Sequence, residues 1–146
     1  MLVLGAAAPA SAGRSQTLYF DAPELRDPSA RDATLDELRS LGVDAVRLIV
    51  YWQDVAPDAG NNNRPDVDLS DPAAYGWGQY EAAVAAAHAR GFEVLVTLTT
   101  PGPRWATRRK TDGVTRPSPR HFRKFVQAAG RQWGDRVAAW AALNEP

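Results

Sequence analysis

The chain has 146 residues, 45% of them apolar and 23% charged, the composition of one globular domain with a core of its own. Its 17 Lys and Arg balance 17 Asp and Glu, so neither a nucleic acid nor an anionic membrane surface is an expected partner; both ask for a basic excess. Cysteine is absent, which excludes disulfides and thiolate metal sites.

Residues 2–8 form a short uncharged apolar run, followed by the small-x-small pattern Ala10-Ser11-Ala12. The run is too short to cross a bilayer. It reads as the tail of a secretory leader, residues 1–12, ahead of a domain over residues 13–146, and it predicts a secreted or cell-envelope protein. Residues 17–20 are a short apolar stretch closed by Asp21 and Pro23, a first strand. Thr34 and Glu37 have the spacing of a capping box, which predicts a helix starting there. Leu35, Leu38 and Leu41 supply its apolar face and Gly42 its end.

Residues 45–50 are almost continuously apolar, the pattern of a parallel strand covered on both faces. A polar loop rich in Pro, Gly and Asn follows, and then Tyr80, Ala83, Val84 and Ala87 recur at helical spacing up to Gly91. Residues 92–98 predict the next strand and residues 99–117 a long loop. Its basic cluster, Arg104, Arg108, Arg109 and Lys110, reads as a solvated face. Ser118 caps a helix with Pro119 in its first turn, and Phe122, Phe125, Val126, Ala129 and Trp133 mark the buried face. Residues 137–143 form the last predicted strand, numbered four if residues 17–20 are the first. His88 and His121 both fall in helices without a second ligand one turn on, so no metal is expected.

Strands starting near 45, 92 and 137 and alternating with helices predict a parallel α/β sheet. An open doubly wound sheet and a closed barrel both fit. No Gly-rich phosphate loop follows a strand, which excludes nucleotide binding of those kinds. In parallel α/β folds ligands bind at the C-terminal strand tips. The tips read Tyr51-Trp52, Thr99-Thr100-Pro101 and Asn144-Glu145-Pro146, with Arg47 inside its strand. Glycosidic cleavage needs an acid for the leaving oxygen, donors for sugar hydroxyls and aromatic faces for the ring. Glu145 fits the acid and Asn144 the donor. Arg47 fits an orienter of a carboxylate or the partner of a core acid. Trp52 fits a stacking platform. Trp105 fits either a platform or a loop anchor, and Trp140, in mid-strand, reads more naturally as core. Asp54 and Asp112 are explained by turn chemistry.

Residues 41–52, 101–106 and 140–146 together resemble clan A glycoside hydrolases, closest in flavour to the cellulase-like enzymes of families 5 and 39. The resemblance implies a (β/α)₈ TIM barrel of which about the first four β/α units are present. It implies an acid/base glutamate after an asparagine at the end of strand four, matching Asn144-Glu145, and a nucleophile glutamate at the end of strand seven. Ala142 and Leu143 depart from the bulky residues common before that asparagine. The expected activity is retaining hydrolysis of β-linked glycans, with no cofactor and a polysaccharide or oligosaccharide substrate. A half-barrel on its own is expected to lack activity and to self-associate through the open edge of its fourth strand. The alternative is a non-catalytic carbohydrate-binding barrel fragment.

Overall fold

The computed structural model describes residues 23–143. The leader-like segment, the expected strand at 17–20 and the tripeptide Asn144-Glu145-Pro146 lie outside the described residues. Seven main elements follow one another: α1 (Arg31–Ser40), β1 (Ala45–Tyr51), α2 (Trp52–Val55), α3 (Gly78–Ala89), β2 (Glu93–Thr99), α4 (Pro119–Trp133) and β3 (Ala139–Ala142). The strands form one parallel sheet in the order β1-β2-β3. β3 corresponds to the expected fourth strand and is shorter than expected. This mixed α/β arrangement with a small parallel sheet is consistent with part of a barrel.

The ends of the helices show which local signals operate. α1 and α3 each close in the same way. Gly42 (φ +79°) donates to Arg39 O at 3.1 Å and Val43 N to Leu38 O at 3.1 Å. Gly91 (φ +74°) donates to His88 O at 2.9 Å and Phe92 N to Ala87 O at 3.1 Å. Both are Schellman closures, whose left-handed residue favours glycine. Ser118 caps α4 as expected, its Oγ accepting from His121 N at 3.4 Å. The capping box at Thr34 does not form. α1 begins three residues earlier, and Thr34 N donates to Ala30 O inside the helix. Asp27 organises that start: its Oδ1 accepts from Ser29 N at 2.9 Å and its carbonyl from Arg31 N at 2.9 Å. An Asx turn ahead of the helix thus took the role assigned to Thr34. The same amide bond, followed by the Ser29 hydroxyl, holds the Asp27 carboxyl below its usual value.

The register pairs Arg47 with Leu95 and Ala139, and Ile49 with Thr97 and Ala141. Residues paired in this way share a face of the sheet. Val46, Leu48, Val50, Val94, Val96 and Leu98 take the other face and join the core formed with Leu35, Leu38, Val84 and Phe125. Burying each such large apolar side chain contributes about 1.5–3 kcal/mol. Val126, expected in the buried face of α4, is 39% exposed, because it lies beside the open edge of β3.

α3 and α4 are joined by one carboxylate. Glu81 accepts from Gln132 Nε2 and Trp133 Nε1, both at 2.8 Å, and from Arg136 Nη1 at 2.6 Å. Burial alone would raise the Glu81 pKa, but the three donors outweigh it and hold the carboxyl below its ordinary value. A carboxyl with a lowered folded pKa contributes stability above its unfolded pKa, and that contribution is lost as pH falls through the folded value. Glu81→Ala is expected to lower unfolding free energy in urea by about 1–3 kcal/mol at neutral pH, since it leaves the buried Trp133 donor unsatisfied. The gap to wild type should narrow once pH drops beneath the ordinary glutamate value of 4.5. A gap unchanged by pH would remove the charge from this account.

Candidate functional site

The C-terminal tips of β1 and β2 open into two loops that are sewn together through backbone bonds. Gln53 N donates to Pro101 O at 2.9 Å, and Arg104 N to Ala59 O at 2.8 Å. Trp105 Nε1 donates to Pro57 O at 3.0 Å. Within the second loop Gly102 N donates to Gly113 O at 2.7 Å, and Thr107 Oγ1 to Arg104 O and Asp112 O at 3.0 and 2.9 Å. Between the loops lies a cleft of about 390 Å³, lined by Gln53, Asp54, Gly60, Gly102, Arg104 and Thr111.

Glycine is required at one wall. A Cβ at Gly102 would come within 2.6 Å of Trp52 Cε3, inside the van der Waals limit. At the far end, Asp54 accepts from the Tyr80 hydroxyl at 2.8 Å, and Arg26 Nη1 donates to that hydroxyl at 3.2 Å. Burial, together with the neighbouring Asp54 carboxylate, pushes the Tyr80 phenol up to about 12. Tyr80 therefore stays a neutral donor, and the Asp54 charge is partly satisfied before any ligand arrives.

The sequence-predicted residues separate into three groups. Arg47 is half-buried in β1, on the face of the sheet away from the helices, with Ile49 and Tyr51. Trp52 and Trp105, expected as a platform and as a platform or loop anchor, are 0% and 5% exposed and pack with the core. Trp52 stacks on Phe125 at 5.7 Å and meets Trp105 edge-on at 5.9 Å. Trp140 is corrected in the other direction, from core to 40% exposed, beside Val126 at the edge of β3. Asp112 does what turn chemistry predicts, accepting from Val114 N and from the Thr115 hydroxyl. Asn144 and Glu145 lie outside the described residues. They follow Leu143, whose amide donates to Leu98 O at 2.9 Å, at the same end of the sheet as the cleft.

Sequence reasoning missed Gln53 and Gly102 as cleft residues, and it missed two buried threonines. Thr97 and Thr99 share the Arg47 face, and Thr97 Oγ1 has no hydrogen-bond partner among the described residues. The alternation of Thr97 and Thr99 with Leu98 was the available signal.

No protein-family profile matches the sequence. The chain is 26% identical over 150 residues to beta-glucosidase 6 of Oryza sativa subsp. japonica, an alignment covering 92% of this chain and 27% of that protein. It superposes with a TM-score of 0.59 on the crystal structure of Fpglu1 from Fervidobacterium pennivoraus, at 19% identity, over 79% of this chain and 28% of that one. The structural likeness shows a shared fold. The sequence likeness supports a distant kinship with glycoside hydrolases and does not single out families 5 or 39. The chain spans about a quarter of the length of either relative.

Gly102→Ala is expected to lower stability by about 1–3 kcal/mol, as Trp52 is forced off its contacts. Gly60→Ala, on the same cleft, has nothing within 4 Å of the new methyl and should stay within about 0.5 kcal/mol of wild type. Thermal denaturation followed by tryptophan fluorescence reads both. Equal effects would dismiss the Trp52 contact as the cause.

Proposed function

We propose that the chain is the N-terminal part of a (β/α)₈-barrel glycoside hydrolase that cleaves β-linked glycans with retention. The observation that carries this reading is the likeness to a β-glucosidase along 92% of the chain. The place of Asn144-Glu145 in the sequence, two residues past the end of β3 at Ala142, supports it. Glu145 is the acid/base: it protonates the leaving oxygen and then takes the proton from the water that releases the sugar. The Asn144 amide holds the hydroxyl next to the anomeric carbon. Arg47, half-buried in β1, orients a carboxylate from the floor of the site. The nucleophile is a second carboxylate about 5–5.5 Å from the first in enzymes of this type. By the family resemblance it comes from strand seven, outside these 146 residues. Trp52 and Trp105 are buried, so in this reading stacking surfaces come from other strands.

In the complete barrel, Glu145→Gln is expected to lower turnover of aryl β-glucosides by about 10²–10⁴, most for poor leaving groups that need protonation. Leaving groups as good as dinitrophenolate should be affected least in the glycosylation step. Wild-type turnover of poor leaving groups by the variant would remove Glu145 from the mechanism.

The edge of β3 underlies a proposed self-association of the chain on its own. Among the described residues β3 pairs only with β2, and Val126, Trp140 and Leu143 are exposed beside it. Sedimentation velocity is expected to show species heavier than the 15.9 kDa monomer at rising concentration, with Trp140→Lys restoring the monomer. A wild-type chain that stays monomeric would refute this.

A further inference from the structure

The balanced net charge hides a segregated one. Residues 104–124 carry eight of the chain's 17 Lys and Arg but only one of its 17 Asp and Glu, Asp112. Seven of the eight are exposed and make no ion pair among the described residues; only Lys124 does, with Asp68 at 3.2 Å. The segment is held in shape. Thr107 bridges Pro117, and Arg108 N donates to Thr115 O at 3.3 Å, so the charges project from a fixed loop and from the first turns of α4. Asp112 is engaged by the Thr115 and Val114 amides and offsets little of the surrounding charge. Burial first, and then the charges of Arg64, Arg120 and Lys124, hold the His121 pKa below its ordinary value.

Arg104 belongs both to this segment and to the wall of the cleft, which Gln53, Asp54 and Thr111 also line. A guanidinium, an amide and a hydroxyl around one open polar space are donors that recognise a carboxylate or sulfate on a hydroxylated ring, and the Asp54 carboxylate in the same lining is already engaged by the Tyr80 hydroxyl at 2.8 Å. We propose that this cleft binds an anionic sugar residue, so that the substrate of the enzyme is an acidic β-linked glycan. This deepens the glycoside hydrolase reading and rests on it. A single-stranded nucleic acid is the less favoured anion. Base stacking needs exposed aromatic faces, whereas Trp105 and Phe125 are buried and Phe122 is half-buried.

The test is affinity electrophoresis of the chain in gels containing carboxymethylcellulose or hydroxyethylcellulose, the same β-linked backbone with and without charge. Retardation is expected on carboxymethylcellulose only, and it should fade as salt rises. Arg104→Ala and Gln53→Ala should each weaken it about tenfold, as for a lost charge-assisted bond. Arg104→Lys should restore part of it. Arg131→Ala, in the last turn of α4, should not change it. Equal retardation by both polymers overturns the anionic assignment. Retardation that survives Arg104→Ala and Gln53→Ala but fails when Arg108, Arg109 and Lys110 are replaced overturns the cleft as the site. Tighter retention by a single-stranded oligonucleotide overturns the glycan. This binding does not involve Glu145. A barrel whose hydrolysis ignores Glu145 while Arg104-dependent binding persists loses the hydrolase reading and keeps the site; the reverse result loses the site alone.

Discussion

The packing of Trp52 is the constraint on which the C-terminal end of the sheet depends. Its ring lies parallel to Phe125 of α4, meets Phe122 and Trp105 at their edges, and has the backbone of Gly102 pressed against it. One side chain therefore fixes the exit of β1, the loop after β2 and the first turns of α4 relative to one another. Truncating a fully buried tryptophan costs about 3–5 kcal/mol, but the larger consequence here is positional. Gln53 and Asp54 start the cleft from one side of Trp52, and Gly102 and Arg104 close it from the other. The polar cleft has its shape because an apolar contact lies beneath it.

Much of this was legible in the sequence, and what was not has a physical reason. The glycines ending α1 and α3 and the Ser118-Pro119 start of α4 were readable because each depends on local backbone chemistry alone. The start of α1 was misplaced because two local signals competed, and the turn at Asp27 lies upstream of Thr34. The burial of Trp52 was hidden for a subtler reason. Residues 45–50 look uniformly apolar, and that hid an alternation. Val46, Leu48 and Val50 face the helices, while Arg47, Ile49 and Tyr51 face the other way. By the same parity position 52 belongs to the helix side, where an indole is core. Trp140 follows that parity too, pairing with Val96 on the helix side, yet it is exposed because little of the described chain lies over that edge. Parity gives the face, whereas exposure depends on what covers it.

Composition misled in a similar way about charge. A net charge of zero argues against a polyanionic partner only if the charges are mixed, and here they are sorted by position along the chain. The Arg-rich loop reads as an ordinary solvated face until the fold sets it on the rim of the cleft, next to the first turns of α4.

That placement is unfavourable for the helix itself. The N-terminus of a helix carries the positive end of its dipole, and acidic side chains there are worth about 0.3–1 kcal/mol each. α4 has no acid in its first turn; it has Arg120, then Arg123 and Lys124 one turn further on. Ser118 supplies the cap without charge, so α4 starts against an electrostatic gradient that, among the described residues, only the Lys124–Asp68 pair relieves. The apolar face of α4 compensates, with Phe125, Ala128, Ala129 and Trp133 all fully buried. A bound anion would reverse the sign of the same gradient. The Arg120 and Arg123 guanidiniums and the Arg104 wall would then act in one direction, and an arrangement that opposes the isolated helix would favour the complex.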